Sequence, residues 1–201
     1  MGLPARIQNY YTVEEYLELE KTSEIRHEYV EGQIYAMSGA SKRHNRLAGR
    51  IYARLERLLG ISQCQPYMNE VKVRIHPRLY YYPDVVVTCE EPAEDPDDDY
   101  DIADPILIVE VLSPSTQDID NREKKIAYQT LNALREYFIV SQTTMRVEAY
   151  RHQNPGEEWQ VRLYTDPNDI ITFESVELSL SLAEIYEGIR LKRNPEGEPN
   201  Q

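Results

Sequence analysis

The segment Ile106-Leu107-Ile108-Val109-Glu110-Val111-Leu112 is apolar throughout except for one central carboxylate. So continuous an apolar run reads as a strand buried on both faces, which demands layers packed on either side of a sheet. A carboxylate inside such a strand is costly unless a cation or hydrogen-bond donors meet it. Earlier in the chain, Pro83-Asp84-Val85-Val86-Val87 repeats the theme: a short β-branched run led by an acid. Two acids on two buried strands suggest a divalent metal, and such metals commonly act on phosphates.

The remaining pattern supplies the layers. Thr12-Val13-Glu14-Glu15 is a capping box that opens a helix to about residue 20. Residues 28–37 read as a hairpin turning at Glu31-Gly32. A helix runs from Ser41 to Leu59, with Leu47, Ile51, Leu55 and Leu58 on its core face and Gly60 ending it. In residues 70–75, Val71, Val73 and Ile75 alternate with Lys72 and Arg74, a half-exposed strand. Residues 118–131 read as a helix, and strands follow at 135–141, 145–151, 159–164 and 170–173. Ser181-Leu182-Ala183-Glu184 caps a last short helix. The expected fold is therefore α/β (α+β): a mixed central sheet flanked by helices, extended by extra C-terminal strands. It forms one domain over residues 1–192, followed by a frayed polar tail at 193–201.

Charge narrows the function. The chain of 201 residues carries a net charge of −13, which disfavours generic nucleic-acid binding. Yet residues 42–78 hold nine Lys or Arg against Glu56 and Glu70, whereas residues 90–104 hold nine acids and no base. Arg46, Arg50 and Arg54 recur along one helix at ~6 Å per four-residue step, close to phosphate spacing in a nucleic-acid strand. The competing reading is a solvated face that balances an acidic protein. The stretch 90–104 is expected to be a loop. Only Cys64 and Cys89 occur; their spacing matches no zinc or redox motif, which leaves no disulfide framework and favours a reducing cytoplasm. No apolar run approaches the ~20 residues needed to span a membrane, and the first residues lack the apolar core of a secretory signal.

Strand alternation places Asp84 with Val86 and Thr88, and Glu110 with Ile108 and Leu112. If the two strands are neighbours, both acids point to one spot. Oxygen ligands there favour Mg²⁺ or Mn²⁺, with the Val111 carbonyl as a further donor. On the following helix Asp120, Lys124 and Tyr128 share a face. A lysine reaching inward there is expected to have a lowered pKa and to take a proton from water. The alternative is a surface bridge between Lys124 and Asp120.

These residues carry a resemblance. Pro83-Asp84, Glu110-Val111-Leu112 and a helical lysine resemble the PD-(D/E)xK nuclease superfamily. Within it the chain is similar to the Uma-type restriction endonuclease family, through Glu28-Tyr29-Val30-Glu31-Gly32, Met37-Ser38, His44, Pro83-Asp84-Val85, residues 109–116, Asp120, Lys124, Tyr128 and Arg135-Glu136-Tyr137. The match covers roughly residues 10 to 165, with order and spacing agreeing together. It departs at Leu112, where the superfamily usually places its lysine; Lys124 corresponds to a lysine moved to the next helix. The resemblance implies a metal-dependent endonuclease acting on DNA, with Asp84, Glu110, Glu28 and Val111 as metal ligands and Lys124 as catalytic base. It also implies that His44 supports the site. Ser113 either orients Glu110 or caps the helix. Arg46 and Arg50 are candidates for phosphate contact, and a homodimer is expected because late strands leave an open edge. Two rival readings are a catalytically inactive binding or assembly module and a phosphoesterase acting on small phosphates.

Overall fold

The strand around Glu110 is the centre of the molecule, and its two buried faces define two separate cores. The computed structural model describes residues 10–92, 100–112 and 120–191, the side chains of 120 and 121 excepted. In chain order these form α1 (Val13–Thr22), β1 (His27–Val30), β2 (Gln33–Ala36), α2 (Lys42–Leu59), β3 (Gln65–Met68), β4 (Lys72–His76), β5 (Leu79–Tyr81) and β6 (Val85–Thr88). There follow β7 (Asp101–Ile102), β8 (Pro105–Leu112), α3 (Asp120–Tyr128), β9 (Glu136–Ser141), β10 (Val147–Arg151), β11 (Gln160–Tyr164), β12 (Ile170–Phe173), β13 (Leu178–Ser181) and α4 (Leu182–Tyr186).

The main sheet has six strands in the order β11-β10-β9-β8-β6-β3. It is mixed: β8 and β9 run parallel, joined through α3, and the other neighbours are antiparallel. On one face, Leu107, Val109 and Val111 of β8 and Val85 and Val87 of β6 pack under Leu47, Ala48, Ile51 and Leu55 of α2. On the other, Val86 and Ile108 pack with Tyr128, Tyr137, Val73 and Tyr81. A strand covered twice can carry no polar alternation, which explains the unbroken apolar run. Truncating a fully buried residue such as Ile51 to Ala would cost about 2–5 kcal/mol.

The expected single sheet divides into more than one. A second, five-stranded sheet runs β2-β1-β5-β4-β7, and β12 pairs β13 as a separate hairpin. α1 is fastened to the five-stranded sheet by a tyrosine cluster: Tyr16 stacks on Tyr29 at 4.9 Å, and the Tyr16 hydroxyl donates to the His27 carbonyl at 2.9 Å. The β1–β2 turn is the anticipated one. Glu31 and Gly32 both have positive φ, 49° and 95°, as a two-residue primed turn requires. A Cβ on Gly32 would also meet the Tyr10 ring at 2.9 Å. Both capping boxes, at Thr12 and Ser181, are present.

Three local expectations are corrected. Lys72, which alternation leaves exposed, is 5% exposed because Tyr100 and the 101–102 strand cover it; its ammonium donates to the Tyr100 carbonyl at 3.0 Å. Leu58 is exposed, and Ala48 takes its place on the buried face of α2. Cys64 and Cys89 are joined in a disulfide, because the β3–β6 pairing of Gln65 with Thr88 brings the flanking cysteines to a Cα separation of 3.9 Å. Among the described residues no helix is long and apolar enough to cross a membrane. Residues 93–99 of the acidic segment and the tail 193–201 lie outside the described residues.

Candidate functional site

Glu28, His44, Asp84, Glu110 and Lys124, from five separate segments, interact around the end of β8. Asp84 stands immediately before β6. The antiparallel register pairs Val85 with Val109, and one step further it sets Asp84 opposite Glu110, where directly opposed residues share a face. Both oxygens of Asp84 are engaged. Oδ1 lies 2.6 Å from His44 Nε2, and Oδ2 accepts from the Val111 N–H at 2.7 Å. The first turn of α2 delivers His44: Ser41 Oγ accepts the His44 N–H at 3.1 Å and donates to Gln142 Oε1 at 2.6 Å. Gln142 follows β9, so the cap of α2 is tied to the same sheet end that carries Glu110.

Glu110 is 8% exposed, and its Oε1 accepts from the Tyr128 hydroxyl at 3.1 Å. Burial raises its carboxyl, Lys124 opposes that rise, and the charges of Asp84 and Glu28 add to it; the net result is a carboxyl pushed up to about 8.

Lys124 comes from α3 and meets Glu28 of β1, Nζ to Oε1 at 2.5 Å. The Tyr82 N–H reaches the same oxygen at 3.5 Å. The ammonium also lies 5.3 Å from the centre of the Tyr81 ring, within cation–π range. This corrects the expected lowered pKa. Burial alone would depress the Lys124 ammonium, but Glu110, Glu28 and Asp84 outweigh it and hold it charged, above its usual range. The neighbouring carboxylates thus favour the protonated form of Lys124. Among the described residues its ion-pair partner is Glu28.

The other candidates divide. Ser113 and the Asp120 side chain lie outside the described residues. Arg50 is turned to the C-terminal helix: Nη1 donates to Glu187 Oε2 and Nη2 to the Glu187 carbonyl, both at 2.7 Å. Arg54 approaches Glu184 at 4.0 Å, and the Arg46 guanidinium lies against Gly188. The stripe thus serves to dock α4, where cations suit a helix C-terminus. Glu28, Asp84 and Glu110 do not close into a cage either. Among the described residues no three His, Cys, Asp or Glu side chains gather as a ready-made metal site. Two contributors carry no role in the sequence reading: the Tyr128 hydroxyl and Gln142. Tyr128 is signalled by its i,i+4 spacing from Lys124 and by its place in the family-like motif; nothing local signals Gln142.

Comparison with known proteins bears on the family and the fold. A family profile described as "Putative restriction endonuclease", Uma2, matches residues 13–183. The uncharacterized protein slr1290 of Synechocystis sp. is 35% identical over 177 residues, covering 88% of this chain and 91% of that protein. A second Synechocystis protein, sll1609, is 32% identical over 169 residues, covering 83% of this chain and 94% of that protein. A crystal structure titled as a putative nuclease belonging to DUF820, from Anabaena variabilis, superposes with a TM-score of 0.68 over 87% of this chain and 97% of that one. At 20% identity that likeness establishes a common fold. Because the profile spans nearly the whole described chain, and both relatives align over most of their own length, the protein belongs to the Uma2 family.

Proposed function

We propose that the protein is a metal-dependent endonuclease that hydrolyses phosphodiester bonds, with DNA as substrate. The observation that carries this reading is the register opposition of Asp84 and Glu110, with the Lys124 ammonium arriving from α3 in the field of both. The residues present suit a hard divalent cation. Asp84, Glu110 and the Val111 carbonyl offer oxygen donors only, as Mg²⁺ and Mn²⁺ prefer. The crowding of negative charge that raises the Glu110 carboxyl is also what a cation relieves. When bound, such an ion supplies Lewis-acid stabilisation of phosphoryl charge and a water of lowered pKa.

The chain's own residues divide the remaining work. His44 holds Asp84 through its ring nitrogen, fixing the carboxylate orientation. Glu28 holds Lys124, and with Glu110 it keeps that side chain protonated. A permanent ammonium can hold a phosphate oxygen and offset charge developing on it. Glu28 joins the metal ligands only by exchanging its contact with Lys124.

The test is cleavage of single-stranded, duplex and branched DNA with and without Mg²⁺. Activity that survives Asp84→Ala and Glu110→Ala together sinks the assignment. A second reading, a nuclease fold retained as a non-catalytic binding module, is favoured by Leu112 at the usual lysine position and by the open carboxylate arrangement. Calorimetric titration separates the two: absence of Mn²⁺ binding would favour the module.

A further inference from the structure

Tyr128 is completely buried on α3, one helical turn beyond Lys124. Its hydroxyl donates to Glu110 Oε1 at 3.1 Å. Its ring is clamped from two sides. Tyr81 meets it edge-on with centroids 5.7 Å apart, and Tyr137 tilts against it at 5.6 Å. The same Tyr81 ring carries the Lys124 ammonium. One helix and one aromatic wedge therefore set both the donor to Glu110 and the cation beside it. Packing on two faces leaves the Tyr128 ring no alternative rotamer to move the hydroxyl away.

We propose that Tyr128 is a positioning residue for metal binding: its hydroxyl occupies Oε1 of Glu110, locks the carboxylate plane and leaves Oε2 as the oxygen for the cation. The inference rests on the metal-dependent reading above. Outer partners of this kind typically change metal affinity by about 10–100-fold when removed. Tyr137 supplies an internal control. It sits in the same cluster at 0% exposure, and its hydroxyl has no hydrogen-bond partner among the described residues. Removing an unpartnered buried hydroxyl costs nothing in polar contacts.

The experiment measures Mn²⁺ affinity of the full chain by calorimetry and by the free-Mn²⁺ electron paramagnetic resonance signal. Tyr128→Phe should weaken binding about 10-fold or more, while Tyr137→Phe leaves it unchanged. Both variants should stay folded by circular dichroism, since each keeps its ring. In cleavage assays Tyr128→Phe should raise the Mg²⁺ concentration for half-activity, with little change in rate at saturating Mg²⁺. Unchanged Mn²⁺ affinity in Tyr128→Phe, against a wild type that binds, overturns the inference and leaves the nuclease reading standing. Equal weakening in both variants also overturns it, because the effect is then one of cluster packing. A wild type that binds no Mn²⁺ overturns both.

Discussion

Lys124 Nζ and Glu28 Oε1 meet at 2.5 Å across 96 residues of sequence, with the two side chains 20% and 16% exposed. The pair joins α3 to β1, and so the main sheet's crossover helix to the second sheet. It also decides what the lysine can do. A half-buried ammonium facing Glu28, Glu110 and Asp84 has too much negative charge around it to release its proton near neutral pH.

Replacing this cation should therefore damage stability as well as chemistry. Lys124→Met leaves the Glu28 carboxylate without its counter-charge. Breaking such a pair costs roughly 2–4 kcal/mol after allowance for residual exposure. Chemical denaturation should show that loss, and the double variant Lys124→Met/Glu28→Gln should recover part of it. Full additivity of the two changes would show that the contact contributes nothing.

The Glu110 carboxyl gives stability a defined pH dependence. Its folded pKa, about 8, lies above its ordinary 4.5, so the folded state binds the proton more tightly than the unfolded chain. Its contribution is complete below about pH 4.5 and is lost as pH climbs through about 8. In chelator, thermal midpoints should fall across that window, and Glu110→Gln should remove most of the slope. Mn²⁺ affinity should rise over the same window as the proton is displaced.

His44→Ala removes one of the two donors to Asp84, while the Val111 N–H remains. Loss of a hydrogen bond to a charged group costs about 1.5–3 kcal/mol. DNA cleavage should fall by at least about 10-fold, and His44→Gln should restore part of it by supplying an amide donor. Equal activity in the Ala variant would remove His44 from the site.

Arg50 tests the division between phosphate contact and helix docking. Arg50→Ala should lower the thermal midpoint, by about 1 kcal/mol in stability, through loss of its hold on the C-terminus of α4. DNA affinity should be unchanged. The reverse pattern, weaker DNA binding at unaltered stability, would return Arg50 to the nucleic-acid interface.

The disulfide closes a segment with a sequence separation of 25. Chain-entropy arguments give it about 3 kcal/mol. Reduction, or Cys64→Ser with Cys89→Ser, should lower the thermal midpoint by a corresponding margin. Thiol titration of the unreduced protein should find no free cysteine.

What could be read from the residues alone was whatever depends on near neighbours. Thr12 and Ser181 announce their helices because each cap is completed three residues away. Glu31-Gly32 announces its turn because Gly32 takes a positive φ at no steric cost. The β8 run announces double burial because no polar face interrupts it, and its lone Glu110, with Asp84, already marks the candidate site. Motif order was enough to indicate the family. Direction of interaction across space was not legible. Lys124 has a single helical neighbour pattern whether it pairs with Asp120 or Glu28, and its charge state follows from carboxylates on β1 and β8 that packing brings near. Cys64 and Cys89 become partners only once β3 lies against β6. Arg50 looks available for phosphate until α4 returns over it. Local pattern sets which elements form, because helix, strand and turn preferences act over a few residues; the tertiary fold alone sets which charges meet, because Coulomb and hydrogen-bond energies depend on distance through space.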